Sequence, residues 1–363
     1  MPQPVMLCYG TRPQVIKASV LRKALAADHR VVAVDTGQHY DYTLNQLLYQ
    51  QLGIDHPDRT LDVGSAGHAE QTALILQRCE QVILEHTPAL VIVIGDTNST
   101  LGCALAAAKL RIPVAHVEAG LRAKDSHMAE EINRRVVDAF ADLLFTPSAA
   151  ATARVHQERT DAVAVESGDV ARDVLERQRD SLPAAVAASS AAVGDYVYAT
   201  LHRAELTDDP TLFLSVLDAL DALPYPVVLP LHPRTQAALE KAAPAREWTG
   251  ALRLGPAVGY HESLALCRDA TAVITDSGGV QREAYWLGTP CITMRAETEW
   301  RETVDENANA MLDPATGLSQ LPSLVERQRS RRVEGWNRDH YGTGNAGDII
   351  VAEVRRFLAT LGS

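Results

Sequence analysis

Two carboxylates, Glu118 and Glu130, stand in the stretch HVEAGLRAKDSHMAEEINR between His116 and Arg134. Glu118 follows the apolar run Ile112 to Val117, and Glu130 opens a helical pattern. Acids separated by a turn can face one cavity and move protons on either side of a bound molecule. Ile132, Val136, Val137 and Phe140 recur at the spacing of one apolar helix face, which puts Glu130 on the opposite side near the amino end. On spacing alone Glu130 and Arg134 also read as a solvated i, i+4 pair. Glu118 is harder to read as a surface group, because a carboxylate closing an apolar strand sits where open α/β sheets bind ligands.

The same arrangement recurs along the chain. Val5 to Tyr9 breaks at Gly10-Thr11-Arg12-Pro13 and passes into a helix, so Arg12, with Lys17 one turn on, can meet a phosphate at the positive end of a helix dipole. Val31 to Val34 ends in polar residues that include Gln38 and His39, and Leu90 to Ile94 ends at Gly95-Asp96, where the acid reads as a helix N-cap or as a reacting group. In the second half, Tyr196 to Leu201 leads to His202-Arg203, and Val227 to Leu231 leads to His232-Pro233-Arg234. A lone histidine there would read as structural; two in equivalent strand-end positions, each closely followed by Arg, leave a structural and a proton-transferring role equally open. Ala272 to Thr275 feeds Asp276-Ser277-Gly278-Gly279, where two glycines let backbone N–H groups approach a diphosphate, Ser277 offers a hydroxyl and Glu283 can take ribose hydroxyls. Arg295, Glu297, Glu299 and Arg301 crowd a later loop.

The elements that position these groups alternate strand and helix, which predicts an α/β fold of parallel sheets whose strand ends share one edge. A further helix is expected over Asp41 to Leu52 and another from about Glu70 to His86. The Ala/Ser-rich segment Ser181 to Val193 reads as a helix end and linker, placing a domain boundary at about 175–190.

Composition narrows the function. At 363 residues, 46% hydrophobic and 22% charged, the chain has enough length for two domains with their own cores. A net charge of −12 argues against a duplex nucleic-acid surface, so an anionic ligand must be met by a local pocket. Five cysteines lack CxxC spacing and read as buried thiols rather than a disulfide framework. No apolar run is long enough for a bilayer span, and the first residues carry no signal-peptide pattern, so a cytoplasmic location is expected. Gly342 to Gly347 matches GxGxxG, yet no strand precedes it and too little chain follows for a βαβ unit, so NAD is not inferred. No metal or other cofactor is expected.

Taken together, GTRPQVIK (10–17), TGQH (36–39), GDTNST (95–100), HVEAGLR (116–122), EEINR (130–134), TLHRAE (200–205), TDSGGVQREA (275–284) and YGTGNA (341–346) resemble the non-hydrolysing UDP-N-acetylglucosamine 2-epimerase family. The resemblance implies a glycosyltransferase-B architecture of two doubly wound, Rossmann-like domains with the active site in the cleft between them. The corresponding boundaries are 1–176 for a domain carrying acid/base residues, 177–344 for a UDP-binding domain, and 345–363 for a helix returning to the first. It implies a homodimer and a UDP-sugar substrate. The implied chemistry expels UDP across carbons 1 and 2 to give a 2-acetamidoglucal, then re-adds UDP with protonation of carbon 2 from the opposite face. Asp96, Glu118 and Glu130 become acid/base candidates and His202 assists the phosphate. Arg12, Lys17, Ser277, Gly278 and Gly279 would hold the diphosphate and Glu283 the ribose. Gln38, His39, Arg122, Arg203, His232 and Arg301 complete the substrate-binding candidates.

Two departures stand out. Gln14 replaces the Glu of the family's usual GTRPE, and Ala129 replaces the Pro of PEE. Gln14, AGHAEQT (66–72) and TEW (298–300) look closer to the branch acting on UDP-2,3-diacetamido-2,3-dideoxyglucuronate, whose carboxylated sugar needs one more cation; Arg203, Arg234, Arg295 and Arg301 are the candidates. UDP-GlcNAc itself is the alternative substrate. A glycosyltransferase, a hydrolysing epimerase and a non-catalytic nucleotide-sugar sensor are the alternative functions.

Overall fold

The computed structural model describes residues 3–38, 49, 53–182, 195–332 and 335–361. The chain divides into two compact units, one running to Arg177 and resuming at Asp339, the other Gln178–Arg338.

The first unit is built on seven parallel strands: β1 (Val5–Tyr9), β2 (Val31–Asp35), β3 (Arg59–Thr60), β4 (Leu90–Ile94), β5 (Val114–Val117), β6 (Leu143–Thr146) and β7 (Val163–Glu166). Their order is β3-β2-β1-β4-β5-β6-β7. β1, β4, β5 and β6 are buried along their whole length, which is why VMLCY and LVIVI are unbroken apolar runs rather than alternating ones. The order reverses direction between β1 and β4, and ligands of such sheets bind beyond the carboxyl ends at that switch.

The second unit repeats the plan with β8 (Val197–Thr200), β9 (Val227–Pro230), β10 (Leu252–Gly255), β11 (Ala272–Thr275), β12 (Cys291–Thr293) and β13 (Asn309–Met311), all parallel in the order β10-β9-β8-β11-β12-β13. Alternate residues of β8 enter different cores: Val197 and Ala199 join one with Phe213 and Leu217, Tyr198 another with Leu266 and Ala284. The sheet is covered on both faces, and its switch lies between β8 and β11.

The final helix, Ala346–Leu361, packs on the Arg12–Leu25 helix within the first unit. Residues 339–344 belong to that unit as well: Asp169 N donates to Tyr341 O at 2.9 Å. Asp173 accepts from Ala346 N at 3.0 Å and Gly347 N at 2.8 Å, capping the returning helix. The expected helix over Asp41 to Leu52 and most of the expected linker at Ser181 to Val193 lie outside the described residues. Among the described residues, no helix is long and apolar enough to cross a membrane.

One expectation is reversed. In the helix Ala129–Phe140, Ile132 and Val136 are 47% and 37% exposed, while the buried face carries Glu131, Asn133, Arg134, Val137 and Asp138. The periodicity is helical, but the inward side is polar because its charges are paired with strand-end groups, and those bonds outweigh the burial of two aliphatic side chains.

Asp173→Ala removes the cap and leaves two helix N–H donors buried without an acceptor. Stability is expected to fall by about 1–2 kcal/mol, seen as a drop of a few degrees in the thermal midpoint.

Candidate active site

At the end of β1 the chain turns through Gly10 and enters the Arg12–Leu25 helix, with Thr11 at its N-cap. Gly10 is obligatory, because a Cβ there would collide with the Thr36 and Ser99 hydroxyls. Gln14 ties this turn to the end of β4: its Oε1 accepts from Gly10 N at 2.9 Å and Thr11 N at 3.2 Å. Its Nε2 donates to Ile94 O at 2.6 Å, Thr97 Oγ1 at 2.9 Å and Thr100 Oγ1 at 3.0 Å. A glutamate would bring no N–H to the Ile94 carbonyl, so the amide at position 14 matches the acceptors around it.

Glu118 follows β5 with φ at +75°, a left-handed conformation that costs a non-glycine residue about 1–3 kcal/mol and is characteristic of functional sites. Its carboxylate pairs with the Lys17 ammonium, and their side chains are 9% and 7% exposed. Gly95 is also left-handed, at φ +68°, and lies beside this carboxylate: a Cβ on it would stand 3.5 Å from Glu118 Oε2, an ordinary contact, so the backbone conformation and not space calls for glycine. Asp96 pairs with Arg134, whose other terminal nitrogen reaches Glu131 at 2.8 Å. Asn133 Nδ2 donates to Asp96 O at 2.9 Å.

Behind these turns lies His116, fully buried. Its Nδ1 is 2.7 Å from Asp138 Oδ1 and its Nε2 2.7 Å from the Gly95 carbonyl. Asp138 Oδ2 takes Gly120 N at 3.0 Å and Arg122 Nη1 at 2.7 Å. Burial of Asp138 opposes ionisation, but the charges and hydrogen bonds of His116 and Arg122 prevail and hold its carboxyl below the usual range.

In the second unit, Asp276 follows β11 and is almost completely buried; its Oδ2 accepts from His202 N at 2.7 Å and Arg203 N at 2.8 Å. Its Oδ1 is buried without a hydrogen bond, 3.3 Å from His202 Nδ1. A carboxylate behind an imidazole nitrogen is an arrangement that can orient the ring. The His202 and His232 rings lie 5.2 Å apart. Ser277 caps the helix Gly278–Leu287, accepting from Val280 N at 3.4 Å, so a helix N-terminus with two glycines stands at the strand end, a geometry that suits an anion. A Cβ on Gly278 would lie 3.1 Å from Trp300 Nε1, which places Trp300 and the following Arg301 beside this loop. Glu283 is half-buried on the same helix.

A sequence model of the family described as UDP-N-acetylglucosamine 2-epimerase matches residues 23–355. The UDP-2,3-diacetamido-2,3-dideoxy-D-glucuronate 2-epimerase of Pseudomonas aeruginosa is 40% identical over 98% of this chain and 99% of its own. This chain belongs to the UDP-N-acetylglucosamine 2-epimerase family. It is an isomerase of that class. A crystal structure of the Methanocaldococcus jannaschii UDP-GlcNAc 2-epimerase, in complex with UDP-GlcNAc and UDP, superposes with a TM-score of 0.88 at 33% identity, covering 98% of this chain and 100% of that one. The calicheamicin glycosyltransferase CalG4 shares the fold alone, with a TM-score of 0.58 at 13% identity over 99% of both chains.

For a 2-epimerase the strand-end residues read from the sequence fall into two groups. Arg12, Lys17, Asp96 and Glu118 gather around the β1/β4 switch and β5, while His202, Arg203, Ser277, Gly278 and Gly279 gather at the β8/β11 switch, with His232 after the neighbouring β9. Glu130 is exposed at the start of its helix, whereas the adjacent Glu131 is buried and bound by Ala123 N, Arg134 and Arg135. Gln38 is engaged by Ser99, its Oε1 2.6 Å from the hydroxyl. Arg122 is committed internally to Asp138, Glu158 and Leu121 O, which makes it a support of the turn. His39 lies outside the described residues. Sequence reading missed Asp276 as the partner of His202, and Asp138 and His116 as the support of the acids. A buried histidine inside an apolar strand was the available signal.

Asp138→Ala is expected to cost about 3–5 kcal/mol at pH 7, because it strands a buried histidine and arginine. Its folded pKa is depressed below the unfolded value of about 3.9, so the contribution is complete above about pH 4 and is lost as pH falls through the folded value. Urea unfolding should therefore show the gap between wild type and variant narrowing below about pH 4.

Proposed function

We propose that this epimerase inverts carbon 2 of a UDP-2-acetamido sugar by elimination and re-addition of UDP, and that its substrate is UDP-2,3-diacetamido-2,3-dideoxyglucuronate. The observation that carries the chemistry is the pairing of Glu118, in a strained conformation, with Lys17 beside Asp96. In elimination a carboxylate takes the carbon 2 proton, the C–H electrons form the carbon 1–carbon 2 double bond, and the carbon 1–oxygen bond breaks to release UDP. Return protonates carbon 2 from the other face as a UDP oxygen re-attacks carbon 1. Asp96, Glu118 and Glu130 are the groups proposed to move these protons. The N-terminus at Ser277, Gly278 and Gly279 stabilises the departing diphosphate, His202 protonates or receives its oxygen with Asp276 behind it, and Glu283 binds the ribose.

The similarity to the Pseudomonas aeruginosa enzyme supports the uronate, and Arg301 supports it further. Among the four arginines considered, Arg234 is paired with Asp208 at 2.8 Å, Arg295 with Glu299 at 3.0 Å, and Arg203 lies 3.7 Å from Glu205. Arg301 is exposed next to Trp300 and pairs with no carboxylate among the described residues. We propose that it meets the sugar carboxylate. A homodimer in the cytoplasm, making precursors of surface polysaccharide, completes the reading.

Incubation in deuterated water with the diacetamido glucuronate, and separately with UDP-GlcNAc, without acceptor, should place deuterium at carbon 2 and build up the manno epimer of the first. Exchange with UDP-GlcNAc alone would move the assignment to that sugar, and exchange with neither would remove both. Glu118→Gln should lower turnover by about 10²–10⁴-fold with UDP binding retained in calorimetry. Arg301→Met should reduce kcat/KM for the uronate by roughly 10- to 100-fold while leaving any activity on UDP-GlcNAc in place; equal losses on both would assign Arg301 elsewhere.

A further inference from the structure

Three of the five cysteines meet inside the first unit. Cys8 comes from β1, Cys79 from the His68–His86 helix and Cys103 from the Asn98–Lys109 helix, and their sulfurs lie within 4.8 Å of one another. All are free thiols, exposed by 2% or less. Gly102 makes the meeting possible, because a Cβ there would press on Ile75 at 2.6 Å and hold the two helices apart. The surroundings are apolar, with Ile75, Val93, Ala104 and Ala107 in the same core. Among the described residues, no histidine, aspartate or glutamate joins the group.

We infer that Cys8, Cys79 and Cys103 form a three-thiol site for a trivalent, thiol-seeking metalloid, with arsenite as its probe. The site is independent of which sugar the enzyme uses. Trigonal sulfur coordination with bonds of about 2.3 Å puts the sulfurs roughly 4 Å apart or closer, so rotation of short cysteine side chains suffices to close it. Charge selects the occupant. Zinc held by three thiolates keeps a negative charge and wants a fourth ligand, which this pocket lacks. Arsenous acid reacts with three thiols so that three As–S bonds replace three As–O bonds, and the thiol protons leave with the hydroxyls as three waters. The product is neutral, as an apolar core requires.

The experiment treats tris(carboxyethyl)phosphine-reduced enzyme with arsenite, both in the native state and during refolding from urea, because a buried site fills through opening of the fold. After gel filtration, one arsenic per chain by native mass spectrometry and three sulfur neighbours by X-ray absorption are expected, with a raised thermal midpoint. Cys79→Ala, or Cys103→Ser should the first fail to fold by circular dichroism, should lose the bound arsenic. The Cys267→Ser/Cys291→Ser pair should keep it. No uptake by either route, fewer than three sulfur neighbours, or retention of a three-sulfur site in the folded variants would overturn the assignment.

Discussion

A buried imidazole held between a carboxylate and a backbone carbonyl is the contact on which the turns at the first unit's strand ends depend. His116 projects from β5, accepts the partnership of Asp138 on one side and fixes Gly95 O, at the end of β4, on the other. Asp138 in turn holds Gly120 N. One pair thus sets the turn leading into Asp96 and the turn leaving Glu118, so two acids from different strands are placed by a common brace. Such a brace is effective only where water is excluded, since low polarity strengthens each bond and makes each lost partner expensive.

That arrangement explains why the helix Ala129–Phe140 turns a polar face inward. Arg134, Asn133, Glu131 and Asp138 all lie on it, and each bonds to a strand end or to the turn before the helix. Period told which residues share a face and was silent about which face the sheet would see. Aliphatic residues are the ordinary choice for the inward side; here the inward side had to orient carboxylates, and Ile132 and Val136 were left outside.

The strands were legible because they are buried on both faces and therefore unbroken in hydrophobicity, and their ends were legible because polar residues follow abruptly. The places of Glu118, Asp96, His202 and the Ser277 loop after strand ends were read in that way. Asp138 and Asp276 were not, since each acts on a residue 22 or 74 positions away and carries no local pattern. Gln14 was visible only as a departure. The hydrogen bonds it makes to Gly10, Ile94 and Thr100 show that an uncharged amide belongs where an acid was expected.

The return of residues 339–361 to the first unit bears on how the protein is made. As the chain leaves the ribosome, the first unit's strands emerge early, yet the Asp169–Tyr341 bond and the bonds of Asp173 to Ala346 and Gly347 cannot form until the whole second unit has been synthesised. The outer face of the Arg12–Leu25 helix stays bare over the same interval. Domains usually fold in order of emergence; here the first to appear is the last to be finished.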